Sequence, residues 1–252
     1  NFPGAELRPP GAVACTDGWP WPESSRPGYS VGTVRSQIRP GLYAITDNRL
    51  TPADTLIVSV EAALAGGARL VQYRDKGSTA SERLVQARNL NSLCQGFDVP
   101  LLINDDPELA VRVGAAGVHL GQDDCSLVDA RRLLGEHAII GITCHHSLNL
   151  AQTAADGGAD YLAFGRFYDS ATKPGAPPAS PDVLTEAKAL GLPITAIGGI
   201  TGNNAEPLIR AGADLVAVVG GLFGGQPSDI EARAKAFNRL FARHHPLFSL
   251  SE

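Results

Sequence analysis

The chain contains 252 residues, of which 44% are hydrophobic, and this length is sufficient for one large α/β domain with a buried core. Its 26 acidic residues outnumber its 21 basic residues, and the net charge of -5 argues against a protein that binds nucleic acid. No stretch reaches the roughly 18 consecutive apolar residues that a membrane-spanning helix requires, so we expect no membrane partner. The four cysteines lie far apart without a CxxC pair, which favours a cytoplasmic protein over a disulfide scaffold or a zinc site.

The first 37 residues differ in composition from the rest of the chain. They contain six prolines, five glycines and both tryptophans, with no sustained helical or alternating pattern. Such a composition predicts an irregular Pro/Gly-rich N-terminal extension, although the Trp19–Pro22 segment could instead dock into an apolar groove. We therefore divide the chain into an extension at 1–37, an α/β domain at 38–245 and a short C-terminal tail at 246–252.

Short β-rich segments alternate with helical segments from Gly41 onward. Thr79 and Glu82 have the spacing of a helix N-terminal capping box, and Ser180-Pro181 places a cap residue before a proline at the first helical position. Eight segments have the hydrophobic character of buried strands: Gly41–Thr46, Arg69–Arg74, Leu101–Asn104, Gly117–Leu120, Ala138–Ile142, Tyr161–Gly165, Ile194–Ile197 and Leu215–Val219.

A glycine-containing turn recurs before every second predicted strand. Its four copies each follow a helical segment, where glycine permits a tight turn into the next strand: 66–68, 114–116, 157–159 and 211–213. Eight strands alternating with helices predict a closed (β/α)8 TIM barrel. The alternative is a doubly wound open sheet, which would more often carry a GxGxxG turn after its first strand, and Gly41–Asp47 has none.

In a (β/α)8 barrel, the active site lies at the C-terminal ends of the strands. The second strand ends in Gln72, Arg74 and Lys76, whose spacing of two residues places all three side chains on one face. Two cations and an amide at one strand end are suited to a multiply charged anion such as diphosphate. The alternative is that these cations are surface charges paired with Asp75 and neighbouring acids.

Acidic residues follow the third and fourth strands, which are neighbours in the predicted barrel. Asp105 and Asp124 form a pair of carboxylates suited to Mg2+, which takes one or two carboxylates together with water and phosphate oxygens. Asp106 and Asp123, adjacent to them in sequence, are expected to point elsewhere and to serve as caps. The alternative is that all four acids are helix caps, because aspartate favours that position.

Glycine pairs follow the last two predicted strands, at 198–199 and 220–221. Backbone N–H groups at such glycines can approach a phosphate closely, so we expect a second phosphate site there. His119 lies in the middle of a strand and is interpreted as a satisfied interior histidine. His145 and His146 face opposite ways on their strand, so they cannot readily share one site, and we assign them no role.

An ordered set of motifs resembles the thiamine phosphate synthase family from about residue 38 to about residue 240. It comprises Gly41-Leu-Tyr-Ala-Ile-Thr-Asp47, Gln72-Tyr-Arg-Asp-Lys76, Asn104-Asp-Asp106, Gly117-Val-His-Leu-Gly-Gln-Asp-Asp124, Thr172-Lys-Pro174 and Ala196-Ile-Gly-Gly-Ile200. The resemblance implies a transferase of thiamine biosynthesis. Such an enzyme joins 4-amino-2-methyl-5-hydroxymethylpyrimidine diphosphate to 4-methyl-5-(2-hydroxyethyl)thiazole phosphate and releases diphosphate. The family reaction is dissociative, and it needs no general base.

The resemblance also implies roles for individual residues. The residues expected to bind the pyrimidine diphosphate are Gln72, Tyr73, Arg74, Asp75, Lys76, Asn104, Thr143 and Lys173. Those expected to bind the thiazole phosphate are Ser170, Thr172, Gly199, Val219 and Gly220. Arg74, Lys76 and Lys173 would be catalytic because they stabilise the departing diphosphate, and Asp105 and Asp124 would bind the Mg2+ cofactor. The expected partners are these small-molecule substrates, and a homodimer is left open.

Three positions depart from the family pattern. Arg166 follows Gly165 where the family has proline, Ser170 stands where threonine is common, and Gly220 stands where serine is common. The first and third are expected to affect only the thiazole phosphate side. Two other functions stay open. A thiazole tautomerase would not need the cations and the acid pair together, and a non-catalytic barrel would only bind thiamine phosphate.

Overall fold

The computed structural model describes residues 38–169 and 178–248, and it contains eight parallel strands closed into a barrel in chain order. Each strand pairs with the next and β1 pairs with β8, so the sheet is not open. The predicted (β/α)8 TIM barrel is confirmed, and the predicted strand bounds are within one residue everywhere except in β5. The strands are β1 Gly41–Ile45, β2 Leu70–Tyr73, β3 Leu101–Asn104, β4 Gly117–Leu120, β5 Ile139–His145, β6 Tyr161–Phe164, β7 Ile194–Ile197 and β8 Leu215–Val218.

One α-helix follows each strand within the described residues. The helices are α1 Leu56–Ala65, α2 Ala80–Gly96, α3 Pro107–Val113, α4 Leu127–Leu134, α5 Leu148–Asp156, α6 Asp182–Ala187, α7 Glu206–Arg210 and α8 Pro227–His244. The predicted capping box is confirmed, since Thr79 N donates to Glu82 Oε2 at 2.8 Å and Glu82 N donates to Thr79 Oγ1 at 3.3 Å. Helix α6 begins one residue later than predicted, at Asp182. Across these two described ranges, every helix is too short or too polar to cross a membrane.

The recurrent glycine turn has the same hydrogen-bond pattern in all four copies. In each copy an alanine N–H donates to the carbonyl five residues earlier, as in Ala68 to Ala63 and Ala159 to Ala154. Each copy also contains one glycine with positive φ, for example Gly67 at +92° and Gly158 at +88°. This backbone conformation disfavours residues with a side chain, which explains why glycine recurs at the end of every second helix.

An aspartate follows this turn before β6 and before β8, and it ties the N-terminal ends of neighbouring strands together. Asp214 Oδ2 accepts from Ile194 N at 2.8 Å, and its carboxylate also accepts from Lys188 Nζ at 2.8 Å and lies 3.1 Å from His245 Nε2. Burial opposes ionisation of Asp214. The hydrogen bonds from His245, Lys188 and Ile194 nevertheless hold the pKa of Asp214 below its ordinary value.

Two tyrosines occupy the middle of the barrel interior. Tyr43 and Tyr161 are almost fully buried, and their rings meet edge to face with centroids 6.0 Å apart. Gly141 on β5 faces Tyr161, and a Cβ atom at this glycine would lie 1.9 Å from Tyr161 Cζ. The missing side chain at position 141 therefore creates the space for the Tyr161 ring.

We expect Asp214→Asn to lower the free energy of unfolding by about 2 kcal/mol at neutral pH, because a buried charged acceptor is lost. The folded-state pKa of Asp214 is depressed, so its stabilising contribution is present above the unfolded value and is lost as the pH falls through the folded value. The difference between the wild type and the variant should therefore shrink in acid. Urea unfolding at neutral and acidic pH measures this difference, with the exposed Asp54→Asn as the control. Equal differences at both pH values would contradict the assignment.

Candidate active site

The C-terminal ends of β2, β3 and β4 bring three charged side chains together at the rim of the barrel. Lys76 Nζ donates to Asp105 Oδ2 at 2.8 Å, and Asn104 Nδ2 donates to the same oxygen at 2.6 Å. The carboxylates of Asp105 and Asp124 are close enough that each shifts the pKa of the other. Asp124 Oδ2 is held from the other side by Gly121 N at 2.6 Å. The two acids selected from the sequence are therefore in direct contact.

The acid pair is electrostatically strained. Burial raises the pKa of Asp124, and the neighbouring Asp105 carboxylate raises it further. Burial also opposes ionisation of Asp105, but the hydrogen bond from Lys76 and the contact with Asp124 hold the pKa of Asp105 below its ordinary value. Two adjacent carboxylates that compete in this way fit a divalent cation, since its charge offsets their repulsion.

The acid pair lines a cavity of about 470 Å³ at the rim, together with Lys76, Asn104 and Arg83. In residues 38–169 and 178–248, no group of three or more His, Cys, Asp or Glu side chains could hold a metal ion. A cation held by two carboxylates has coordination positions left for water and for phosphate oxygens. This is the usual arrangement for Mg2+ in enzymes that act on phosphorylated substrates.

The neighbouring acids do not form a third and fourth ligand. Asp106 is the N-cap of α3, where its Oδ1 accepts from Leu109 N at 2.9 Å, so its predicted capping role is confirmed. Asp123 is exposed, and α4 is capped by Ser126 instead. The interpretation of all four acids as helix caps is therefore wrong, since Asp106 caps α3 and Ser126 caps α4.

The polar residues of the β2 end lie on two sides of the barrel wall. Gln72 is buried in the interior, and Arg74 Nη1 lies 3.6 Å from Asp47 Oδ2. Asp75 turns away and accepts from Gly77 N at 2.7 Å, which stabilises the loop. Tyr73 also points outward, towards α2, where its hydroxyl donates to Gln86 Oε1 at 2.9 Å. The two cations are thus paired with Asp47 and Asp105 rather than with Asp75.

His119 and Thr143 form the wall of the interior next to the acid pair. His119 Nε2 lies 2.8 Å from Thr143 Oγ1, and His119 Nδ1 lies 2.8 Å from the Tyr161 hydroxyl. The prediction of a satisfied interior histidine is therefore confirmed. Sequence reasoning missed Tyr43 and Tyr161, although their place on the inward face of β1 and β6 could have been read from strand alternation.

The two glycines after β7 allow a loop to pack closely against the strand end. A Cβ atom at Gly198 would lie 2.3 Å from Arg166 Cβ, and one at Gly199 would lie 2.4 Å from Asp169 O. Asn204 Nδ2 donates to Gly199 O at 3.0 Å and fixes this turn. Sequence reasoning assigned these glycines to phosphate binding and missed both the packing and Asn204.

The remaining predicted residues of the thiazole side are only partly described. Val219 is half-buried at the end of β8, and Gly220 after it is exposed. Ser170, Thr172 and Lys173 lie outside the described residues.

A model of one protein family, thiamine monophosphate synthase, matches residues 42–222. The chain belongs to this family. It is 98% identical over 222 residues to a curated thiamine-phosphate synthase of Marinobacter nauticus, and the match covers 88% of this chain and 100% of the relative.

Solved structures of similar proteins agree with this membership. The thiamine phosphate pyrophosphorylase from Pyrococcus furiosus is 29% identical with a TM-score of 0.75, and the match covers 84% of this chain and 100% of that chain. The thiamine phosphate pyrophosphorylase from Bacteroides thetaiotaomicron shares the fold, at 16% identity and a TM-score of 0.56, over 81% of this chain and 99% of that chain. The Pyrococcus match therefore supports the family, and the Bacteroides match supports the barrel alone.

We expect Gly198→Ala to displace the 166–169 loop and lower the activity of this family member by about tenfold or more, because the added Cβ overlaps Arg166 and φ is +108°. Gly202→Ala is the matched control, since an added Cβ there meets no atom within 4 Å. Steady-state rates of thiamine phosphate formation and melting temperatures measure both variants. Equal activity of the two would show that the close packing at Gly198 is not needed.

Proposed function

We propose that this chain is a magnesium-dependent thiamine phosphate synthase with its active site at the rim described above. The chain has thiamine phosphate synthase function and is a transferase of thiamine biosynthesis, since it belongs to the family and is 98% identical to a curated synthase. The observation that carries the finer proposal is the contact of Asp105, Asp124 and Lys76. Their position at neighbouring strand ends supports a site for a metal-bound diphosphate.

Asp105 and Asp124 would hold Mg2+. When bound, the ion would supply positive charge that offsets the charge developing on the departing diphosphate. The fit rests on three features of the described residues: two carboxylates in contact, the raised pKa of Asp124, and a lysine that already lies 2.8 Å from Asp105. Thiamine phosphate synthase function needs this charge because diphosphate is otherwise a poor leaving group.

Arg74, Lys76 and Lys173 would stabilise the leaving group together. The bond between the pyrimidine methylene carbon and the diphosphate oxygen breaks, and diphosphate leaves with the electron pair. The thiazole nitrogen then donates its lone pair to the pyrimidinylmethyl cation and loses no proton. A general base is therefore not required, and the work of the protein is to orient both substrates and exclude water.

The two substrates would lie on different sectors of the rim. Gln72, Asn104 and Thr143 would contact the pyrimidine diphosphate, while Tyr73 and Asp75 support the strand end from the outside. The thiazole phosphate would lie against Ser170 and Thr172 and the backbone at 199, 219 and 220. The half-buried Arg166, whose Nη1 pairs with Asp169, lies beside this second sector.

One assay separates the proposed function from two alternatives. A thiazole tautomerase would isomerise the thiazole phosphate without releasing diphosphate, and a non-catalytic barrel would release none either. The two substrates are mixed with the full chain, with Mg2+ or with a chelator, and diphosphate and thiamine phosphate are measured. The proposal requires equal amounts of both products with Mg2+ and neither with the chelator.

We expect Asp105→Ala and Asp124→Ala each to lower turnover by about 10²-fold or more, because one of two proposed metal ligands is lost. Asp123→Ala removes the same charge from an exposed neighbour and should stay within about threefold of the wild type. Initial rates over a Mg2+ titration measure all three. Unchanged Mg2+ dependence in Asp105→Ala would contradict the metal site.

We expect Lys173→Ala to lower kcat by about 10²-fold, as the loss of one donor to a developing charge typically does. Lys235→Ala is the control for removal of a lysine far from the rim, because Lys235 lies on α8 and pairs with Glu231 on the same helix. A change in kcat of less than about threefold in Lys173→Ala would remove this lysine from the transition state.

Three features expected from the sequence stay predictions. We propose that 1–37 and 246–252 flank a catalytic barrel at 38–245, although the 1–37 segment lies outside the described residues. Phe248, inside the proposed tail, packs against Phe241 with ring centroids 5.7 Å apart. The other two predictions are a homodimer and a cytoplasmic location.

A further inference from the structure

A chain of hydrogen bonds crosses the barrel interior from β2 to β5. Gln72 Nε2 donates to the Tyr43 hydroxyl at 2.5 Å, and that hydroxyl lies 2.9 Å from the hydroxyl of Tyr161. His119 lies 2.8 Å from Tyr161 OH through Nδ1 and 2.8 Å from Thr143 Oγ1 through Nε2. We call these five residues the interior chain. Its two ends are both residues of the proposed pyrimidine site.

The three middle members of the interior chain are packed so that they cannot readily reorient. Tyr43 and Tyr161 are 1% and 0% exposed, and His119 is 9% exposed. The His119 ring stacks on the Tyr161 ring with an interplanar angle of 21°. Burial raises the pKa of both tyrosines, so each phenol keeps its single proton at neutral pH.

The Gln72 Nε2 donor sets the direction of the interior chain, and every link is satisfied in that direction. Because Gln72 donates to Tyr43, the single Tyr43 proton is donated to Tyr161, and the Tyr161 proton is donated to His119 Nδ1. His119 then carries its proton on Nε2 and donates it to Thr143 Oγ1. The Thr143 hydroxyl proton is left to donate to a ligand, and Gln72 Oε1 is left to accept from one.

The opposite direction would exchange the donor and acceptor roles at both ends of the interior chain. If Gln72 presented its oxygen to Tyr43, each proton along the chain would have to move to the other side of its link. Thr143 would then donate to His119 and present only an acceptor, and Gln72 would present only a donor. The ends are therefore coupled, since neither can change its hydrogen-bonding character alone.

We propose that Tyr43, Tyr161 and His119 are positioning residues that make the substrate site accept a 4-aminopyrimidine and reject its 4-oxo analogue. The inference rests on the proposed function and adds the origin of its base selectivity. An amino group is a donor, which Gln72 Oε1 can accept, and an unprotonated ring nitrogen is an acceptor, to which the Thr143 hydroxyl can donate. A 4-oxo group is an acceptor, so it would face the Gln72 acceptor and leave a buried polar pair unsatisfied.

Selectivity is measured as the ratio of kcat/KM for the amino and 4-oxo pyrimidine diphosphates, with Mg2+ and thiazole phosphate in the full chain. We expect Tyr43→Phe and Tyr161→Phe each to lower this ratio by about fivefold or more, because Gln72 is then free to turn its amide. A merely structural role would lower both rates together and leave the ratio unchanged. An unchanged ratio in both variants overturns the proposal.

Thr195→Val is the matched control for loss of an interior hydroxyl. Thr195 is 0% exposed on β7, and its buried Oγ1 has no hydrogen-bond partner among the described residues. Its replacement by valine keeps the shape and breaks no link of the interior chain. We expect the selectivity ratio of Thr195→Val to equal that of the wild type within about twofold.

A second measurement needs no stable variant of either tyrosine. Nitrogen-15 spectra of histidine-labelled wild-type protein report which ring nitrogen carries the proton. We expect the Nε2–H form for His119, with its signals assigned by their loss in His119→Gln. The Nδ1–H form would reverse the chain and overturn the proposal.

Failure of this inference differs from failure of the proposed function. If the wild type releases no diphosphate from the aminopyrimidine substrate, the proposed function fails. If the wild type releases diphosphate and the selectivity ratio is unchanged in both tyrosine variants, only the proposed role of the interior chain in selectivity fails.

Discussion

The contact between Asp105 and Asp124 is the constraint on which the rest of the site depends. Two carboxylates repel each other, and the raised pKa of Asp124 is the consequence of holding them together in a partly buried place. The fold holds them because β3 and β4 are neighbours, and because Asn104 and Gly121 hydrogen-bond the acids from either side. In the proposed function, Mg2+ relieves this repulsion when it binds. The relief favours binding of the ion and, through the ion, binding of diphosphate.

The opposite end of the barrel supplies the rigidity that such a contact requires. Asp160 and Asp214 each accept from a backbone N–H near the start of a neighbouring strand and from a cation. These ties lie at the N-terminal ends of the strands, away from the rim, so stability and chemistry are separated along the barrel axis. Substitutions at the N-terminal ends of the strands should therefore lower the free energy of unfolding, and substitutions at the rim should lower activity.

The chain's own pattern was sufficient to predict the strands, the barrel and the two acids, because each depends on local or periodic information. Alternation placed Gln72, Arg74 and Lys76 on one face, whereas Tyr73, which was expected to bind substrate, points outward to Gln86 on α2. The extension of β5 to His145 was not predicted, because it depends on pairing with β6 across an irregular register between Thr143 and His145. The packing role of Gly198 was missed for a similar reason, since its neighbour Arg166 lies on another strand's loop.

Sequence by itself determined the period of the fold and the chemistry available at each strand end: four glycine turns, eight buried segments, two aspartates and a row of cations. Tertiary structure alone decided which of these groups touch. Lys76 lies against Asp105 rather than Asp75. Gln72 is linked to Thr143 through Tyr43, Tyr161 and His119, by hydrogen bonds between residues that are 24 to 118 positions apart in the sequence. The physical reason is closure: strands far apart in sequence face one another only after the barrel forms, so contacts across its interior leave no local pattern to read.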